Sequence, residues 1–255
     1  MTLEQTHISV TGGECQPLLR VDDMTSELAS IADALVSFEG PFESNSDRAY
    51  RLLLGQIITL RLPPATVLRE VELQDRLQVG RTPLHEALQK LASDGLVTIH
   101  PRRVTYVTDI NVSDLGSIYE IRLPLETLAA GLAAQRRNRS DQALLRQARS
   151  QLASAASGTS YGQVMALDRQ LHSLVYRIAK NEFLRQTLER FLALCIRLDI
   201  AAARRSPTTE LRRLVDSVSH LDTLLRAVDA GSVDEAVAAV RQHILETENS
   251  LRQAI

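Results

Sequence analysis

Leu68-Arg69-Glu70-Val71-Glu72-Leu73-Gln74-Asp75-Arg76-Leu77-Gln78-Val79-Gly80-Arg81-Thr82-Pro83-Leu84-His85-Glu86-Ala87-Leu88 is the stretch that decides how the first part of this 255-residue chain folds. It predicts two short helices, 69–77 and 81–94, separated only by Gln78-Val79-Gly80. Leu84, Leu88 and Leu91 form the apolar stripe of the second. After Gly95 the pattern changes. Leu96-Val97-Thr98-Ile99 and Val104-Thr105-Tyr106-Val107 are β-branched runs around His100-Pro101-Arg102-Arg103, which reads as a hairpin. Helix, tight turn, helix and hairpin make the outline of a winged helix-turn-helix. In that outline Arg81, Thr82 and His85 project from the first turns of the second helix, whose N-terminus offers backbone N–H groups and a positive dipole end to phosphate. Arg81 can bind guanine bidentately. Arg102 and Arg103 at the hairpin tip can reach a minor groove or phosphates. Double-stranded DNA is the partner these residues point to.

Upstream, an apolar helix from about Asp47 to Leu60 ends at a Pro63-Pro64 break, and Glu43-Ser44-Asn45-Ser46 reads as linker. The first 45 residues carry eight Asp and Glu against one basic residue, Arg20. Within them Val21, Met24, Leu28, Ile31, Leu35 and Phe38 recur at alternating spacings of three and four, which predicts an acidic amphipathic helix in need of a surface to cover. Its charge argues for docking on protein, either this chain or a second copy, rather than on DNA. Residues 46–108 reverse the balance, with nine Lys and Arg against six acids. The formal net charge of the whole chain is only -2. Cys15 and Cys195 are too few for a disulfide framework or a four-cysteine zinc site. The absence of Trp and only 4% aromatic residues argue against an aromatic base-stacking or carbohydrate platform. No run approaches the ~20 apolar residues of a membrane span. The N-terminus lacks a basic-then-apolar signal, so a cytoplasmic protein is expected, with no membrane partner.

Downstream the periodicity predicts six helices, 112–136, 141–157, 161–179, 182–204, 208–229 and 233–253. The fold class expected is mainly α, a winged helix-turn-helix followed by a six-helix bundle. The domains expected are an acidic extension at 1–45, a DNA-binding domain at 46–108 and an all-helical domain at 109–255. In the last of these, Asp168 and His172 lie four apart, so their side chains share one helix face within the apolar stripe of Val164, Leu171 and Val175. A carboxylate there is costly unless paired or bound to a cation. His220 and His243 flank the Gly231-Ser232 turn symmetrically. In an antiparallel hairpin both would stand about 17 Å from that turn, at 1.5 Å per residue. Asp168, His172, His220 and His243 together suit a divalent ion, Zn, Mn, Ni or Fe. His220 also sits opposite the Leu/Val stripe of its helix, which permits a plain surface position. Arg122 lies in an apolar stripe near Ile118, Leu125 and Ala129. It is either half of an ion pair with a neighbouring Glu or an anchor for an effector carboxylate.

Residues 68–88, continued by Leu91-Ala92-Ser93-Asp94-Gly95-Leu96-Val97, resemble the DNA-binding signature of GntR-family repressors. The match departs at Gly80, where that family usually has Ser or Thr, at His85, usually Arg, and at Val104, usually the wing Gly. It implies DNA contacts by Arg69, Arg81, Thr82, His85, Arg102 and Arg103. Ile118-Tyr119-Glu120-Ile121-Arg122-Leu123-Pro124-Leu125-Glu126, the Asp168/His172 helix, Asn181, His220 and His243 resemble the FCD effector domain of the FadR subfamily. Lys180 stands where Gly is common there. This resemblance implies that Asp168, His172, His220 and His243 hold a metal, and that a small carboxylate binds beside it with Arg122 and Asn181 in reach. Six helices resemble the shorter FCD variant, which implies a small effector rather than a long acyl-CoA. The function expected is a homodimeric transcriptional regulator, a repressor, whose operator affinity answers to a carboxylate at a metal site. A metal-dependent hydrolase is the alternative, but three His and one Asp leave no spare general base. A regulator with a purely structural metal is the other.

Overall fold

The computed structural model describes residues 44–100, 104–111, 114–155, 161–205 and 207–254. The helix expected within 17–40 and the hairpin tip with Arg102 and Arg103 lie outside these residues. Among the described residues the elements run α1 (Asn45–Ile58), α2 (Glu70–Leu77), α3 (Arg81–Ser93), β1 (Val97–Ile99), β2 (Thr105–Val107), α4 (Asp114–Arg136), α5 (Arg139–Ala155), α6 (Tyr161–Ile178), α7 (Glu182–Arg205), α8 (Pro207–Ala230) and α9 (Val233–Ala254). This is the expected mainly α architecture, a winged helix-turn-helix followed by a helical bundle.

Boundaries follow local chemistry that periodicity alone does not register. The stretch expected as linker in fact starts α1, because the Ser44 hydroxyl accepts a hydrogen bond from the Asp47 backbone N–H at 3.1 Å and caps the helix. The residues after the Pro63-Pro64 break do more than interrupt a helix. Val67 bridges Tyr106, and Leu68 N–H donates to Thr105 O at 2.8 Å, so this segment lies along the free edge of β2. Asn138 and Asp141 cap α5 reciprocally, the Asn138 side-chain oxygen accepting from Asp141 N at 2.9 Å and the Asp141 carboxylate from Asn138 N at 2.8 Å. That places the start of α5 at Arg139, two residues before the expected start.

Leu53, Ile57, Leu84, Leu88 and Leu91 close the core of the small domain under α3. In the bundle, α9 packs along both α4 and α8, while α6 lies against α8 and α4. The α8–α9 turn needs Gly231, at φ +78°, because Arg137 folds over it and donates to Asp229 O and Ala230 O at 2.8 and 2.9 Å. A Cβ at Gly231 would lie within 2.4 Å of that guanidinium. This antiparallel hairpin sets the rotation of α8 and α9, and so decides which of their side chains face α6.

Candidate functional site

The turn between α2 and α3 is tight because Gln78 takes a left-handed conformation at φ 54°, its side chain donating to Asp75 O at 2.7 Å. Gly80 is the N-cap of α3 and supplies no side-chain acceptor, and the first turn of α3 contains no acid. The α3 N-terminus therefore keeps its dipole and its N–H groups for an outside anion. Arg81, Thr82 and His85 are all exposed at this end, while Leu84, Leu88 and Leu91 point inward. Arg69 is exposed one helix away and shares its guanidinium with Glu72 at 3.1 Å. The four residues thus lie on the same small domain, with the apolar stripe of α3 behind them.

In the bundle, α6 and α9 bring Asp168, His172 and His243 together, with one ligand atom from each lying within 4.8 Å of the others. The two imidazoles meet through their Nε2 atoms at 3.0 Å. Each ring is held from behind. His172 Nδ1 faces the Glu126 carboxylate at 3.3 Å, and His243 Nδ1 faces the Ser217 hydroxyl at 3.4 Å. Ser217 also donates to Asp168 Oδ1 at 3.0 Å. Two imidazoles and a carboxylate, with each Nδ1 engaged and each Nε2 turned to a common point, fit a divalent ion. His220 is not brought into this group. Its Nδ1 lies 3.2 Å from Glu246 Oε2 at the bundle surface, and Ser217, one turn earlier on α8, occupies the inward position.

Electrostatics sharpen the difference between the two buried histidines. Burial disfavours the charged form of His172, but the Glu126 carboxylate outweighs it and raises the pKa. Burial and the adjacent His172 charge push His243 well below the ordinary imidazole value. Burial alone would raise the Glu126 carboxyl. His172 and Arg122 beside it instead hold it well below the usual carboxylate range.

Residues 117–246 match the FCD domain, and residues 45–107 match the bacterial regulatory proteins of the gntR family. The chain belongs to the GntR family. The HTH-type transcriptional repressor RspR of Escherichia coli is 30% identical over 214 residues, covering 84% of this chain and 91% of RspR. GlaR, another E. coli HTH-type transcriptional repressor, is 27% identical over 81% of this chain and 95% of its own length. The fold is similar to that of E. coli McbR/YncC, with TM-score 0.71 at 20% identity, covering 83% of this chain and 99% of that one. A GntR-type putative transcriptional regulator from Rhodococcus sp. RHA1 has TM-score 0.61 at 19% identity, covering 84% of this chain and 100% of that one. This protein is a DNA-binding transcriptional regulator of the GntR family carrying an FCD domain. The families and relatives it matches are regulators, not enzymes, which sets aside the hydrolase reading. Among the described residues no helix is long and apolar enough to cross a membrane.

Within the FCD domain of this GntR regulator, Arg122 makes an ion pair with a neighbouring Glu. Its Nε donates to Glu126 Oε1 at 2.8 Å and its Nη1 to the Tyr119 hydroxyl at 3.4 Å, with the side chain only 4% exposed. It also lines, with Asp168, Ser217, His243, Cys195 and Asp199, a small cavity of about 10 Å³. Asn181 is elsewhere. Its side-chain oxygen accepts from Leu184 N at 3.2 Å and caps α7, and it is not among the cavity residues. Glu126, Tyr176 and Ser217 are the residues that sequence reasoning missed. Tyr176 donates to Glu126 Oε1 at 2.6 Å, completing a buried Arg–Glu–Tyr–His network. Glu126 and Tyr176 follow Arg122 and His172 by four residues each, a helical spacing that could have paired them. No signal of that kind marks Ser217.

Proposed function

We propose that this regulator holds one divalent ion, Zn, Mn, Ni or Fe, through Asp168, His172 and His243, and that a small carboxylate bound beside it changes operator affinity. The observation that carries this reading is the convergence of two Nε2 atoms and a carboxylate on one point, with Glu126 and Ser217 fixing the rings from behind. His220 joins as a fourth ligand if its imidazole exchanges Glu246 for the ion. The ion would supply a positive charge able to bind a carboxylate. Arg122, at the cavity wall, would supply the second anchor. Residues 46–108 read DNA, 109–255 hold metal and effector, and the acidic extension 1–45 docks on protein. A cytoplasmic repressor is the setting this implies.

The test is isothermal titration of metal-loaded protein with a panel of hydroxy-, keto- and dicarboxylic acids. A binder is expected whose affinity falls at least tenfold in Arg122→Lys, which keeps the charge and loses the fork. Binding undiminished in Arg122→Lys assigns Arg122 to structure alone.

DNA reading rests on a homodimer at a short palindrome, since one recognition helix contacts too few bases for specificity. Ile121 and Leu128 on α4 are 48% and 49% exposed and seven residues apart, an apolar strip of the kind a second copy covers. Arg81→Ala is expected to cost about 1–3 kcal/mol of operator affinity and to relax one base position, measured by binding to a sequence library. Unchanged affinity and an unchanged consensus would remove Arg81 from the base-reading set.

A further inference from the structure

One helix touches both halves of this protein on opposite faces. Leu192, Cys195, Ile196 and Asp199 of α7 line the cavity beside the metal cluster. Arg190, Arg197 and Arg204 lie on the other side. At 100° per residue, a spacing of seven drifts only about 20°, so these three make one straight row roughly 21 Å long. The cavity residues centre about half a turn away from that row.

Each arginine of the row grips the DNA-binding domain at a different structural joint. Arg190 Nε lies 2.8 Å from Asp94 Oδ1, and its Nη2 donates to Ser93 O. Asp94 is the C-cap of the recognition helix, and its other oxygen accepts from the Tyr50 hydroxyl of α1 at 2.8 Å. Arg197 Nη1 donates to Thr108 Oγ1 at 3.1 Å and its Nη2 to Thr108 O, while that same hydroxyl donates to Gly95 O at 2.8 Å. Arg197 therefore holds the end of the wing and, through Thr108, the turn after α3. Arg204 Nη2 donates to Leu60 O at 3.4 Å, just past the end of α1. The ends of α1, of α3 and of β2 are thus all tied to one rod. The carbonyls at Ser93 and Leu60 lie at negative helix ends, where a guanidinium is favoured.

The joint also retains hydrogen-bonding capacity that it does not use. The Nε atoms of Arg197 and Arg204 are buried without a hydrogen-bond partner. Buried donors left without a partner cost free energy, so this joint is held less tightly than its other hydrogen bonds alone would make it.

We propose that Arg190, Arg197 and Arg204 are positioning residues that set the orientation of the DNA-binding domain, with α7 as the rod carrying occupancy of the cavity to the recognition helix. This rests on the reading of the cavity as the metal and effector site. A ligand filling the cavity presses on Leu192, Cys195 and Ile196 and moves α7 as a unit, and the row of arginines carries that movement to Asp94, Thr108 and Leu60. Coupling of this kind is reciprocal, so the same contacts make DNA binding felt at the cavity.

Hydrogen exchange by mass spectrometry on the full chain, with and without saturating Zn²⁺, tests it. In the unmodified protein Zn²⁺ is expected to change exchange at least threefold in peptides covering 60–62, 93–96 and 108 as well as along α7. Arg190→Gln/Arg197→Gln is expected to bind Zn²⁺ within twofold of the unmodified affinity and to lose the change in the DNA-binding domain while keeping it in α7. Arg190 is half exposed. The single variant Arg190→Gln therefore serves if the double one does not fold, with the change lost at 93–96. Persistence of the full response in either folded variant overturns the proposal. So does Zn²⁺ binding that alters α7 and nothing in residues 45–108, and in that case the metal site stands. No Zn²⁺ binding by the unmodified protein overturns the reading of the cavity, and the coupling with it.

Discussion

Glu126→Ala is expected to destabilise metal-free protein by about 3–5 kcal/mol, the typical cost of stripping one partner from a buried ion pair. Glu126 is 2% exposed and accepts from Arg122 Nε and the Tyr176 hydroxyl, with His172 Nδ1 at 3.3 Å. Its removal leaves Arg122, a residue 3% exposed, without its ion-pair partner, and the buried Tyr176 phenol without its 2.6 Å acceptor. Both groups are almost wholly buried, so little water can replace the lost partner. Glu126→Gln keeps the volume and an acceptor for Tyr176 but not the charge, so it should fall between the two. If uncompensated charge is the cause, Arg122→Met/Glu126→Leu, which removes both charges and refills the space, recovers most of the loss. Urea denaturation at fixed protein concentration measures all four proteins. A double variant as unstable as Glu126→Ala would trace the loss to packing instead.

The second large effect concerns metal content. Elemental analysis is expected to find about one equivalent of divalent metal per chain, and none in His172→Ala/His243→Ala. His220→Ala is expected to weaken the site rather than abolish it, because His220 stands on Glu246 outside the cluster. Chelation should lower the melting temperature of the unmodified protein and leave the double variant unmoved. The size follows from mass action, since metal at a hundred times its dissociation constant stabilises by about 2.7 kcal/mol. A double variant that retains a full equivalent would place the ion at other residues.

Cys195, the buried thiol in the cavity wall, provides a smaller check on the same architecture. Burial pushes its pKa up to about 11, so it carries little thiolate at neutral pH. In a Cys15→Ser background, alkylation by iodoacetamide should be slow in the native protein and fast in denaturant. Rapid native labelling would mean that the cavity opens more than its packing implies.

The α3 assignment was legible from residues 68–97 because every cue there is local. The three-residue turn, the Leu84/Leu88/Leu91 stripe and the β-branched runs after Gly95 each act within a few residues. Asp168 and His172 were equally legible, since one helix face is settled by a spacing of four. The α8–α9 register was approachable from the Gly231 turn, which puts His220 and His243 at similar height. Rotation about the helix axis was not. Three residues before His220 lies about 60° round and one turn back along α8, and there Ser217 faces His243 while His220 meets Glu246.

By itself, then, the sequence determined the kind and order of the elements, the winged helix-turn-helix, the exposed Arg81 end of α3 and the pairing of Asp168 with His172. Only the tertiary structure decided that His243, and not His220, lies beside Asp168 and His172, that Arg122 bonds Glu126 and Tyr119, that Asn181 caps α7, and that Arg190, Arg197 and Arg204 contact the DNA-binding domain. The physical reason is the same in each case. Periodicity records which side chains share a face of one helix, whereas the partner across a helix interface is set by how packing rotates two faces together, and that depends on the whole core.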